Sequence, residues 1–196
     1  MFHNLPQQLL DRMAQLEAMD ASDRQEDVSI KERLRQVPPQ TGKLLALLAA
    51  CAPQGQFLEI GTSAGYSGLW ITMACRERGA NLVTFELLPE KVKLAHETFQ
   101  IAGVDSFVQI VQGNVLHHLG DYREVAFCFL DTEKDLYQAC YDLVLPNLVP
   151  GGLLVADNVI SHAEILGPFV AGALSDPRLD ALVIPIGQGV LLGRKT

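Results

Sequence analysis

The chain has 196 residues, 48% of them hydrophobic and 19% charged, enough for one folded unit with a substantial core. Its formal net charge of -8 favours solubility and disfavours generic attachment to phosphate backbones, so nucleic acid is an unfavoured partner. No apolar run is long enough to span a bilayer, and the opening MFHNLPQQLLDRMAQ lacks the basic head and apolar stretch of a secretory signal; a cytoplasmic address is the default expectation.

In chain order, Leu5, Leu9, Met13 and Leu16 recur at helical spacing. The charged stretch from Asp20 to Arg35 reads as a second helix or a partly mobile segment. Pro38-Pro39 breaks it, and Thr41–Ala50 reads as a leucine-rich helix. From Phe57 onward strands alternate with helices. The expected strands are Phe57–Ile60, Leu82–Glu86, Phe107–Val111, Val125–Leu130 and Gly152–Asp157. The expected helices between them are Gly65–Arg78, Pro89–Ile101 and Lys134–Leu148. Continuous apolar strands of this kind belong to sheets covered on both faces, which predicts an open, mainly parallel α/β sheet. Ala181–Ile186 and Gly189–Leu192 read as a closing strand pair about a tight Gly187-Gln188 turn. The expected organisation is a single domain over 1–196, with a helical segment over 1–52 and an α/β core over 53–196. Cys51, Cys75, Cys128 and Cys140 form no CxxC pair and read as buried reduced thiols.

Ligands of such sheets bind outside the carboxyl ends of the strands, so the residues there carry the information. The first strand holds Glu59 and runs into Gly61-Thr62-Ser63-Ala64-Gly65; the second ends in Glu86; Gly113-Asn114 follows the third. The fourth ends in Asp131, and the fifth in Asp157-Asn158. Four carboxylates near one rim repel each other unless a cation or a positively charged ligand compensates. The glycine turn is either a plain strand–helix connection or a ligand cradle. A dinucleotide site needs glycine at the position of Ser63, so a nucleoside ligand without phosphates fits better. Glu86 is either a carboxylate at a helix entrance or a contact to ribose hydroxyls. Asp131, Asp157 and Asn158 offer oxygen donors suited to Mg²⁺ rather than zinc; the alternative makes the two aspartates helix N-caps. Asp157 and Asn158 can share an ion only where the strand has ended and the chain is turning. Lys134, three residues past Asp131, is either a general base or a surface lysine paired with Glu133 or Asp135. His117-His118 carries no assigned chemistry, and His162 either lines a pocket or lies on the surface.

Together FLEIGTSAGYSGLW, VTFE, FLDTEKDLY, PGGLLVADNVI and PIGQGVLLGRK resemble the class I, cation-dependent O-methyltransferases of the catechol and caffeoyl-coenzyme A type. The resemblance runs from about Val37 to the C-terminus. It implies a Rossmann-like fold with a mainly parallel seven-stranded sheet, S-adenosylmethionine as methyl donor and a divalent cation, Mg²⁺. It places Glu59, Gly61, Ser63 and Ser67 around the methionine part of the donor, Glu86 at the ribose, and Gly113, Asn114 and Val115 on the adenine side, with Thr62 also among the donor-binding residues. Val37 would close over the donor. Asp131, Asp157 and Asn158 would hold the metal, Asp131 also facing the donor's ammonium group, and Lys134 would be the catalytic base.

The same resemblance implies a small phenolic or catechol-like acceptor and a homodimer. Two departures stand out: Asn114 where many relatives have Asp, and Glu133 and Arg33 where catechol-specific relatives place bulky apolar residues. Three other readings remain: methylation of a hydroxylated uridine in transfer RNA, a nucleotide-binding oxidoreductase, and a non-catalytic module that binds S-adenosylmethionine.

Overall fold

A computed structural model describes residues 2–25 and 33–196. Helices α1 (Gln7–Gln25) and α2 (Pro39–Cys51) precede the alternation β1 (Gln56–Ile60), α3 (Tyr66–Arg78), β2 (Leu82–Glu86), α4 (Pro89–Ile101), β3 (Val108–Gln112) and β4 (Val125–Leu130). Then follow α5 (Tyr137–Val144), β5 (Leu148–Ala156), α6 (Ala163–Ser175), β6 (Leu179–Ile184) and β7 (Val190–Lys195). The seven strands form one sheet in the order β3-β2-β1-β4-β5-β7-β6. Strands β1 to β5 are parallel, and β7 runs antiparallel to both its neighbours. The chain leaves β1 toward one edge and returns to β4 on the other side, so the strand order reverses between β1 and β4. That reversal opens the crevice in which α/β sheets bind ligands.

The sheet divides two apolar cores because successive side chains point to opposite faces. Phe57, Phe127, Phe129, Leu153 and Val155 pack on the side of α1 to α4. Leu58, Ile60, Cys128, Leu130, Leu154 and Ala156 pack on the side of α5 and α6. Every residue of β4 is buried, which is why its sequence is an unbroken apolar run. Proline at the first turn of α2 and α4 starts both helices where its missing N–H costs nothing.

The structure revises several expected boundaries. Residues 26–32 of the charged stretch lie outside the described residues, and Asp20–Gln25 continue α1. Thr41–Ala50 extends two residues back to Pro39 and one forward to Cys51. The expected helix Lys134–Leu148 is a 3-10 turn (Lys134–Leu136), the short α5, and a second 3-10 turn (Leu145–Asn147) around Pro146. Leu148 already belongs to β5, whose Pro150-Gly151-Gly152 shifts the register: Val125 pairs with Leu148, but Phe127 pairs with Leu153. Helix α6 lies outside the expected elements and carries Pro168 inside it. It forms because Leu166, Phe169 and Ala173 are buried, with Phe169 edge-on to Tyr137 and Tyr141; packing outweighs propensity. Strands β3 and β6 are displaced by one and two residues, β7 starts one residue later and runs three residues further, and residues 185–189 form a wider connection than a two-residue turn. Cys75, Cys128 and Cys140 are buried and free, whereas Cys51 is exposed, because α2 turns that face to solvent. Among the described residues no helix is long and apolar enough to cross a membrane.

Candidate active site

The glycine turn is built against the end of β4. Gly61 and Thr62 both donate their backbone N–H to Phe85 O at 3.1 Å, and Asp131 N donates to Ile60 O at 2.9 Å. Gly61 has φ 104°, and a Cβ there would lie 1.9 Å from Asp131 O. No other residue fits. Ser63, at φ 46°, turns its N–H toward Glu86 Oε2 at 2.8 Å. Glu86 Oε1 accepts from Leu87 N and Leu88 N at 2.8 and 3.0 Å. Glu86 therefore does serve the entrance of α4, and it also ties β2 to the glycine turn. Three of roughly four lone-pair sites are used, which leaves capacity for a ligand hydroxyl.

Glu59 lies beneath this turn, fully buried. Thr84 Oγ1 donates to its Oε2 at 2.6 Å, and Thr62 Oγ1 meets Thr84 Oγ1 at 2.6 Å. Its Oε1 has no hydrogen-bond partner. Burial pushes the carboxyl up to about 7, against the hydroxyls of Ser67 and Thr84 and with the charges of Asp131 and Glu86.

A second cluster sits at the ends of β4 and β5. Lys134 is not a surface lysine: its side chain is 15% exposed, and its Nζ lies 3.3 Å from Asp131 Oδ1. Nζ also donates to Thr132 O at 2.9 Å and to Tyr137 Oη at 3.2 Å. Tyr137 Oη in turn donates to Asp157 O at 3.1 Å. Strand β5 ends at Ala156, and Asn158 adopts φ 66°, so the chain does turn where a shared site requires it. Asn158 Nδ2 donates to Asp131 Oδ1 at 2.8 Å and reaches Asp157 Oδ2 at 3.5 Å. Neither aspartate is a helix N-cap: Glu133 precedes the 3-10 turn, and His162 precedes α6.

Asp157 Oδ1 is buried with no hydrogen-bond partner. Burial and then the charge of Asp131 push Asp157 up to about 7, against the Asn158 N–H and Lys134. A buried carboxylate oxygen with no donor, beside a second carboxylate, is a place where a hard cation would be stabilised. Among the described residues no group of three or more His, Cys, Asp or Glu stands where it could hold a metal ion. The oxygen set here is two carboxylates and one amide, and the amide must turn over before its Oδ1 faces the carboxylates.

Residues 33–37 cross above the crevice as a strap. Asp23 Oδ2 accepts from Leu34 N at 2.9 Å, and Asp20 Oδ1 accepts from Gln36 N at 3.1 Å. Ser63 Oγ donates to Leu34 O, and Lys91 Nζ donates to Arg33 O, each at 2.8 Å. Arg35 Nη2 bridges to Glu133 Oε1 at 3.0 Å.

Strap, glycine turn and rim enclose a cavity of about 560 Å³, in the range of small-molecule sites. Val37, Gly61, Thr62, Ser63, Ser67, Glu86, Gly113, Asn114, Val115, Asp131, Lys134 and Asn158 all line it. Glu59 and Asp157 are buried and do not line it. Asn114 Oδ1 accepts from Leu116 N at 3.1 Å, capping a 3-10 turn. His162 also lines the cavity.

A sequence profile of the O-methyltransferase family matches residues 13–196. The chain belongs to the O-methyltransferase family. It is similar to a catechol O-methyltransferase of Niastella koreensis, 35% identical over 147 residues, covering 70% of this chain and 66% of that protein. It is also similar to a catechol O-methyltransferase of Mycobacterium tuberculosis, 33% identical, covering 66% of this chain and 60% of that protein. The matched stretch is thus below two thirds of either relative's own length. In structure it is similar to the O-methyltransferase TomG of Streptomyces achromogenes, solved in complex with SAM, with a TM-score of 0.78 and 26% identity over 92% of this chain and 89% of that one.

In this family member, sequence reasoning missed three residues of the site. Tyr137 joins Lys134 to the Asp157 backbone; its place three residues after Lys134 was the available signal. Thr84 supports Glu59 from the neighbouring strand. Arg35, which takes a left-handed backbone at φ 51°, is the arginine that reaches Glu133.

Proposed function

We propose that the protein transfers a methyl group from S-adenosylmethionine to one hydroxyl of a small vicinal dihydroxy, catechol-like compound, with a divalent cation such as Mg²⁺. The observation that carries this reading is the hydrogen-bonded set Lys134, Asp131, Asn158 and Asp157 beside a cavity floored by the glycine turn. The similarity to two catechol O-methyltransferases and to a SAM complex supports it.

The residues fit both groups. Glu86 has acceptor capacity for ribose hydroxyls; among the other cavity residues Gly113, Asn114 and Val115 would wall the adenine side, and Ser63, Ser67 and Val37 would surround the methionine part. Asp131, Asp157 and Asn158 would hold the cation through oxygen, and Asp131 would also face the donor. When bound, the donor supplies an electrophilic sulfonium methyl and the cation supplies Lewis acidity toward a hydroxyl oxygen. In its neutral form, with two N–H bonds on Thr132 O and Tyr137 Oη, Lys134 Nζ would use its lone pair to receive the proton of the hydroxyl to be methylated. Thr132 O and Tyr137 Oη fix where that nitrogen stands. The strap excludes water from above, and the cavity holds acceptor and donor in alignment, which supplies much of the rate enhancement of such transfers.

The test is transfer of labelled methyl to a dihydroxy aromatic with Mg²⁺, with chelator, and with Mg²⁺ restored. Transfer should vanish with chelator and return with Mg²⁺. Asp157→Ala should lose more activity than the roughly 10–100-fold typical of outer-shell changes. Chelator-insensitive transfer would remove the cation from the reading, and the absence of transfer to any vicinal diol would remove the acceptor class.

A further inference from the structure

Arg35 and Glu133 are 98 residues apart in the chain yet meet across the rim of the cavity, and both line it. Glu133 directly precedes Lys134, so on the reading above the pair marks the acceptor end. Arg35 projects from a fixed backbone: the amides on either side of it, Leu34 N and Gln36 N, are held by Asp23 and Asp20. Its contact with Glu133 is a single point, Nη2 to Oε1, and the two side chains are 52% and 66% exposed. Such a pair is weak and exchangeable. A guanidinium carries five donors and prefers to grip a carboxylate with two of them in parallel. One contact leaves that grip open.

Resting on the acceptor reading above, we infer that Arg35 is a specificity-determining residue: it binds a carboxylate carried by the acceptor on the side of the ring away from the two hydroxyls. Glu133 is the resident carboxylate that the substrate replaces. An acceptor with an ammonium tail meets the positive charge of Arg35 instead and has to take Glu133 from it. The preferred substrate class is an aromatic vicinal diol with a short acidic side chain.

The experiment compares kcat/KM for dihydroxyphenylacetate, its methyl ester and dopamine, with saturating methyl donor and Mg²⁺. The protein should favour the acid over the ester by about tenfold, which corresponds to about 1.4 kcal/mol. In Arg35→Gln the acid-to-ester ratio should fall to near one. In Glu133→Gln, where the competing carboxylate is gone, the ratio should rise. Arg35→Lys keeps the charge without the fork, should retain part of the preference, and carries the same test if Arg35→Gln does not fold. An acid-to-ester ratio near one in the unmodified protein, a ratio unchanged in Arg35→Gln, or dopamine preferred to both would each overturn the Arg35 assignment alone. No methyl transfer to any of the three would instead overturn the diol reading beneath it.

Discussion

Asn158 has two separable jobs, one of backbone and one of side chain. Its left-handed φ of 66° turns the chain at the end of β5, and its Nδ2 links Asp131 to Asp157. Asn158→Gly keeps the turn and deletes the link; Asn158→Ala deletes both, at a conformational cost of about 1–2 kcal/mol. Both variants should lose Mg²⁺-dependent transfer, and only the alanine variant should melt distinctly lower by calorimetry. Equal melting temperatures would mean that the turn is not strained. At this scale the sequence was legible where a functional group lies close to its partner in the chain. The Asp131–Lys134 spacing and the Asp157-Asn158 pair both carry through to contacts. Arg35 and Glu133 were not legible as a pair, since nothing local says which of two neighbouring arginines will face a residue 98 positions away. The alternative of Lys134 as a surface side chain failed for the same kind of reason. Thr132 O and Tyr137 Oη hold it inward, and neither hold is visible without the turn that follows β4.

The elements differ in how openly they were written. Strand β4 is apolar at every position and buried at every position, so pattern and structure coincide. Helix α6 carries Gly167 and Pro168 inside it and is held by aromatic contacts to α5, information that belongs to its partner and not to its own sequence. The two halves of the site are coupled at one close approach, Gly61 against Asp131 O. Gly61→Ala should cost at least about 2 kcal/mol, combining a positive φ with a backbone clash. It should also weaken donor binding by calorimetry, because the turn must retreat from β4. Native stability and affinity in that variant would show that the two elements can separate freely.

For the molecule as a whole, the carboxyl rim sets a dependence on pH. Glu59 is pushed from an ordinary 4.5 up to about 7 in the folded chain, so the fold holds its proton more tightly than the unfolded chain does. Its contribution to stability is therefore full below 4.5 and is lost as pH rises through about 7. In the absence of donor and cation, Glu59→Gln should gain melting temperature relative to the unmodified protein across that window. A difference that stays flat with pH would mean that Glu59 is already ionised in the fold. The sulfonium proposed to bind above it acts in the opposite direction, since a positive neighbour favours the ionised carboxylate.

The strap has a consequence for the far end of the chain. Its amides hang from Asp20 and Asp23 near the close of α1, a helix none of whose residues lines the cavity. The roof over the reaction chamber is thus suspended from an outside beam. Peeling α1 off the body would take two amide holds from that roof and lay open Leu9, Met13 and Leu16, leaving the ties from Ser63, Lys91 and Arg35 to keep the chamber covered.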